Sequence, residues 1–137
     1  MHLLSESATW ETESEFVDGN GNISRATGES KIEVFDNYII NKSWIDLGGN
    51  KISNDYRIEK SSENRYLYRS NNPSLGVQIG TFGIDRNVVF SKFQIENTHL
   101  NGYEIIIRKD CVCDAYGALY DNNELKNTWN AKMTIAI

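Results

Sequence analysis

The end of the chain alternates. Leu125, Asn127, Trp129, Ala131, Met133 and Ile135 fall on one face, and Lys126, Thr128, Asn130, Lys132 and Thr134 on the other. A period of two sends successive side chains to opposite sides of an extended backbone, whereas a helix would scatter the same residues around its circumference. The segment is therefore a strand with one buried face and one solvated face. Asp121-Asn122-Asn123-Glu124 ahead of it is turn chemistry, so Cys111–Tyr120 and Leu125–Ile137 read as a hairpin.

The same rhythm runs through the rest of the chain. Ala8–Val17 sets Trp10, Thr12, Ser14 and Phe16 against Glu11, Glu13 and Glu15, and Asp18–Asn22 is rich in the Gly and Asn that tolerate positive φ. Strands follow at Ile23–Phe35, with a bend at Gly28, and at Tyr38–Leu47, Lys51–Lys60, Arg65–Arg69, Leu75–Phe82, Asn87–Ile95 and Tyr103–Lys109. The single proline, Pro73, lies in a turn, where its missing N–H does no harm. No stretch holds a helical period. The reading is an all-β, single-domain chain over residues 1–137, an antiparallel up-and-down β-barrel of about ten strands with little or no helix. A meander this long either closes or leaves two edges exposed, and closure removes the edges. Met1–Ser7 is expected to be a loose terminus.

Composition enters by exclusion. The formal charge is -5 with both signs interspersed, so no basic patch offers itself to a phosphate backbone, and nucleic acid is not expected as a partner. No run approaches transmembrane length, no basic amphipathic helix would lie on a membrane, and Leu3-Leu4 is too short for a signal-peptide core; a cytoplasmic protein is expected. Cys111 and Cys113 point along one strand face, a poor geometry for a disulfide, and two thiols do not make a zinc site. No nucleophile elbow or phosphate loop occurs, and nothing places His99 beside either cysteine. No catalytic residue, metal ligand or cofactor is assigned.

Inward faces follow from turn lengths. An even loop at Gly48-Gly49 or Gly49-Asn50 places Ile39, Asn41, Ser43, Ile45 and Leu47 with Ile52, Asn54, Tyr56 and Ile58, and turns Trp44 outward; a three-residue loop reverses this. The first is favoured and the second stays open. For the final hairpin, a three-residue Asp-Asn-Asn loop puts Cys111, Cys113, Ala115, Gly117 and Leu119 on the Trp129 face. A two-residue Asn-Asn loop puts Asp114, Tyr116 and Tyr120 there. The first is preferred, because it packs small residues against an indole. In every case Asn54, Tyr56, Asn127 and Trp129 share the apolar face, where a buried amide must find a partner in protein, water or ligand. Arg108 follows the apolar run Ile105–Ile107 and is a candidate inward cation.

The strand rhythm over Ala8–Ile137 resembles the calycin-type barrels: lipocalins, fatty-acid-binding proteins and the nitrobindin-like group. Ala8-Thr9-Trp10 is similar to the lipocalin Gly-x-Trp signature with Gly replaced, although the last strand offers no counterpart to the basic residue that lipocalins pack over that Trp. Fatty-acid-binding proteins use Arg-x-Tyr in the last strand, where this chain has Asn127-Thr128-Trp129, and Asp18–Asn22 leaves no room for their two helices. Nitrobindin-like barrels hold haem through a barrel histidine, while His99 and His2 fall in a loop and the terminus. The resemblance implies a lipocalin-like binder of a small, mainly apolar ligand, without catalysis. Trp10, Tyr56 and Trp129 would form the wall, Asn54 and Asn127 would orient the ligand, and Arg108 would hold an anionic group. Two alternatives accompany it. One is a barrel enzyme or chromophore-handling protein of isomerase or lyase type, which needs an inward titratable group among Glu104, Arg108, Asp114 and Tyr116. The other is a filled barrel acting through an outer apolar patch at Ile40 and Trp44.

Overall fold

The computed structural model describes residues 1–136. Ten strands follow one another: β1 (Ala8–Asp18), β2 (Ile23–Val34), β3 (Tyr38–Leu47), β4 (Asn50–Ser62), β5 (Arg65–Asn72), β6 (Gly76–Asp85), β7 (Val88–Ile95), β8 (Leu100–Lys109), β9 (Val112–Asp121) and β10 (Glu124–Ile135). Each pairs antiparallel with its sequence neighbours, and β10 returns to β1 from Trp10↔Ile135 to Asp18↔Asn127, closing the barrel. The described residues contain no helix. Ile137, assigned to the last strand from sequence, lies outside the described residues.

The β3–β4 connection is the two-residue Gly48-Gly49 turn, with both glycines at positive φ and Leu47 paired to Asn50. This gives the favoured face assignment: Ile39 pairs with Ile58, Asn41 with Tyr56 and Ser43 with Asn54, all facing inward, while Trp44 points out beneath the Lys51 ammonium, 4.2 Å from the ring centroid.

The final hairpin combines both alternatives. Its turn is the two-residue Asn122-Asn123, at φ 50° and 70°, the left-handed pair that suits the twist of flanking strands. That length alone would have placed Tyr116 and Tyr120 inside. A β-bulge between Leu125 and Asn127 inserts one residue and flips the register, so Trp129 pairs with Gly117 and the small face of β9 turns inward after all. The expected three-residue loop is thus corrected, and so is Leu125. It lies before the bulge, pairs with Tyr120 and is exposed.

Two further corrections concern boundaries. β8 starts at Leu100 rather than Tyr103, which brings Gly102 into the wall as the partner of Phe93. The N-terminal segment is not loose. Leu3 and Leu4 are buried against Trp10, Ile32, Ile39, Ile58, Val89, Ile106, Cys113 and Met133, and they plug the end of the barrel where β1 begins. Two leucines have more to gain from covering an open apolar end than from solvent. Toward the other end many inward residues are only partly covered, among them Ser43, Asn54, Phe16 and Trp129.

Candidate functional site in the barrel lumen

The middle of the barrel is built from aromatic residues laid over glycines. Along one row of the sheet Tyr68 on β5, Gly80 on β6, Phe93 on β7 and Gly102 on β8 pair in succession. A Cβ on Gly80 would stand 2.6 Å from the Tyr68 ring, and one on Gly102 would stand 2.5 Å from that of Phe93. A second row runs Glu104 on β8, Gly117 on β9 and Trp129 on β10, where a Cβ on Gly117 would overlap the indole. Each ring therefore rests on the wall beside its own strand instead of projecting across the lumen.

The second row also sets the chemistry. Glu104 and Trp129 are two strands apart and meet because the residue between them has no side chain. The indole Nε1–H donates to Glu104 Oε2 at 2.7 Å. That bond occupies one of the two carboxylate oxygens. Burial pushes the Glu104 carboxyl above its ordinary value, and the Trp129 hydrogen bond only partly offsets this. On the opposite wall, Asn54 Nδ2 donates to the Tyr56 hydroxyl at 2.9 Å, Ser70 donates to Asn54 Oδ1, and Ser43 donates to the Asn54 carbonyl at 2.6 Å. Gln78 Nε2 donates to the Tyr68 hydroxyl at 3.0 Å. Burial raises the pKa of both phenols, and the charge of Glu104 acts on both across the lumen in the same direction.

By strand register Glu104, Tyr56 and Trp129 face inward, yet part of each side chain remains uncovered. Uncovered surface on inward-facing residues borders space inside the barrel. Two inward amide oxygens, Asn41 Oδ1 and Asn127 Oδ1, are buried with no hydrogen-bond partner, as is Trp10 Nε1. Such orphan groups are uncommon in a finished core.

The six residues singled out in the sequence all face inward, but they divide into two groups. Asn54, Tyr56 and Trp129 line the central space, with Asn127 on the same strand as Trp129, nearer the open end. Trp10 and Arg108 belong to the plugged end. Arg108 packs over the Trp10 ring at 5.0 Å, donates to the carbonyls of Asp110 at 2.8 Å and His2 at 3.2 Å, and meets Glu6 Oε1 at 2.5 Å. With its donors committed in this way, the guanidinium clasps the terminus, and the expected role of holding a ligand anion is corrected.

No family model matches this chain, and no curated protein matches it in sequence. Glu104, Tyr68, Gln78 and Ser70 were not selected from the sequence as lining residues. Glu104 had appeared only among candidate titratable groups, while Asp114 and Tyr116 prove to lie on the outer face, Tyr116 at 56% exposure. The sequence places Gly117 on the Trp129 face, but the direct pairing of the two, which brings Glu104 to the indole, follows only from the β10 bulge. Both cysteines are free thiols, and no cluster of three or more His, Cys, Asp or Glu side chains among the described residues could hold a metal. Among the described residues no helix is long and apolar enough to cross a membrane.

Proposed function

We propose that this chain is a calycin-type barrel that takes up a small molecule with an apolar, ring-sized body in its lumen and performs no chemistry on it. The observation that carries this reading is the partly uncovered surface of the inward-facing Tyr56, Glu104 and Trp129, bordered by rings held flat on glycines. An apolar wall with a few converging polar groups is the usual composition of a small-molecule pocket. The clasp of Arg108 over Trp10, tied to a carbonyl of the N-terminal segment, resembles the lipocalin pairing of a strand Trp with a basic residue and supports the family assignment. Two free thiols, one exposed, fit a reducing compartment such as the cytoplasm.

Native mass spectrometry of the purified protein tests the reading. The expected spectrum shows a bound fraction heavier than the apo chain by the mass of one small molecule, lost on mild activation. A protein that is apo throughout and takes up no member of a small aromatic fragment library would overturn it.

A second reading is favoured by one observation. Burial makes Glu104 hold its proton more tightly than an ordinary carboxyl, the direction that a proton donor of an isomerase- or lyase-type barrel would need there. The surface reading has weaker support at its expected place, since Ile40 and Trp44 are half-buried. The exposed apolar residues of the outer wall run instead along Phe90, Ile105 and Tyr116, paired across β7, β8 and β9.

A further inference from the structure

We infer that the lumen selects a cationic ligand, a small ammonium or amidinium carried on an aromatic or compact apolar body, with Glu104 as its counter-charge. The inference rests on the ligand-binding reading above and narrows it. Away from the two rims, the inward faces of the described residues carry two charged side chains, Glu104 and Arg108. Arg108 is spent at the plugged end on Glu6, on two carbonyls and on Trp10. Glu104 is left as an acid without a base, inside a closed wall.

An isolated buried carboxylate is costly, and the cost falls when a cation or donor arrives with it. The surroundings suit a cation. Trp129 touches the carboxylate, Phe93 lies 6.5 Å from Trp129 between ring centroids, and the Tyr56–Tyr68 pair, 5.5 Å apart, lies on the inward faces of β4 and β5. Aromatic faces attract ammonium and guanidinium groups through the ring quadrupole, most strongly when water is excluded. The hydroxyl, amide and carbonyl groups of the opposite wall, together with the unpartnered Asn41 and Asn127 oxygens, add acceptors for the remaining N–H donors of such a ligand. A carboxylate ligand would meet like charge at Glu104 and no free cation. When Glu104 is protonated, entry of the ammonium displaces its proton to solvent, and the ion pair replaces the neutral acid.

Three probes of one shape decide the matter: benzylamine, benzyl alcohol and benzoate, titrated into the full chain at neutral pH and followed by tryptophan fluorescence and calorimetry. Benzylamine is expected to bind at least about tenfold tighter than benzyl alcohol, a difference near 1.4 kcal/mol, with benzoate weakest. Glu104→Gln should erase the preference for the amine while leaving binding of the alcohol in place. Equal binding of amine and alcohol, or tighter binding of benzoate, overturns the cation assignment and leaves the ligand-binding reading standing. Binding of none of the three overturns both. The wild-type ranking decides the question even where the variant folds poorly.

Discussion

Glu104 shows how one missing side chain can create a site. Its carboxylate reaches Trp129 over Gly117, and the same glycine allows the indole to lie flat. Gly117→Ala should drive the indole off the wall at a cost of about 1–3 kcal/mol, the range for forcing a methyl into a packed site. Urea unfolding measures the loss, and a changed tryptophan emission with a weakened Trp129–Glu104 bond should accompany it. Glu104 itself has a pKa raised by burial, so the folded state holds its proton more tightly than the unfolded chain does. Its favourable contribution is complete below the ordinary value of 4.5 and is lost as pH rises from there through the folded pKa. Glu104→Gln removes that dependence. The stability of the variant relative to wild type should therefore rise with pH above 4.5 and level off once the buried carboxyl has ionised. A pH series of urea midpoints showing the opposite slope would contradict the placement of Glu104 inside the barrel.

Among the elements, the N-terminal segment departs furthest from what its sequence announces. Seven residues with no periodicity read as a frayed end, yet Leu3 and Leu4 are 5% and 3% exposed and Arg108 is committed to holding them. Leu4→Ala should cost on the order of 2–3 kcal/mol, the transfer and cavity loss of a buried leucine. It should also speed proteolysis within the first seven residues, which limited chymotrypsin digestion would register before global unfolding. β10 teaches a related lesson. Its alternation was legible from Asn127 to Ile135, and the face of Trp129 was assigned correctly, but for an incomplete reason. The turn is one residue shorter than supposed, and the bulge restores the register. A bulge changes nothing in the hydrophobic pattern beyond its own position, so Leu125 read as inward when it is exposed.

At the scale of the molecule, closure was legible because every strand obeys the period of two and the links are too short for crossings; β1 pairing with β10 completes it. Most of the lining could be read in the same way, since parity fixes which residues look inward once a single turn is known. Asn54 and Tyr56 followed from the alternation of β4 itself, and the Gly48-Gly49 turn then placed Asn41 and Ser43 beside them. The division of the interior into a plugged end and an open middle could not be read, because it depends on which inward residues meet across strands distant in sequence. Arg108 and Trp10 sit on β8 and β1, and Tyr56 and Glu104 on β4 and β8. Nothing local in either segment encodes those meetings. The rings resting on Gly80, Gly102 and Gly117 bear on capacity as well as shape. Ten strands set the bore of the barrel, and three bare backbone positions set how much of it the rings leave clear. A methyl at Gly117 would meet the indole first, whereas one at Gly80 or Gly102 would also press on the backbone carbonyl of Lys92 or Ala118, so position 117 is the place from which the room left for a guest can be trimmed with least disturbance to the wall.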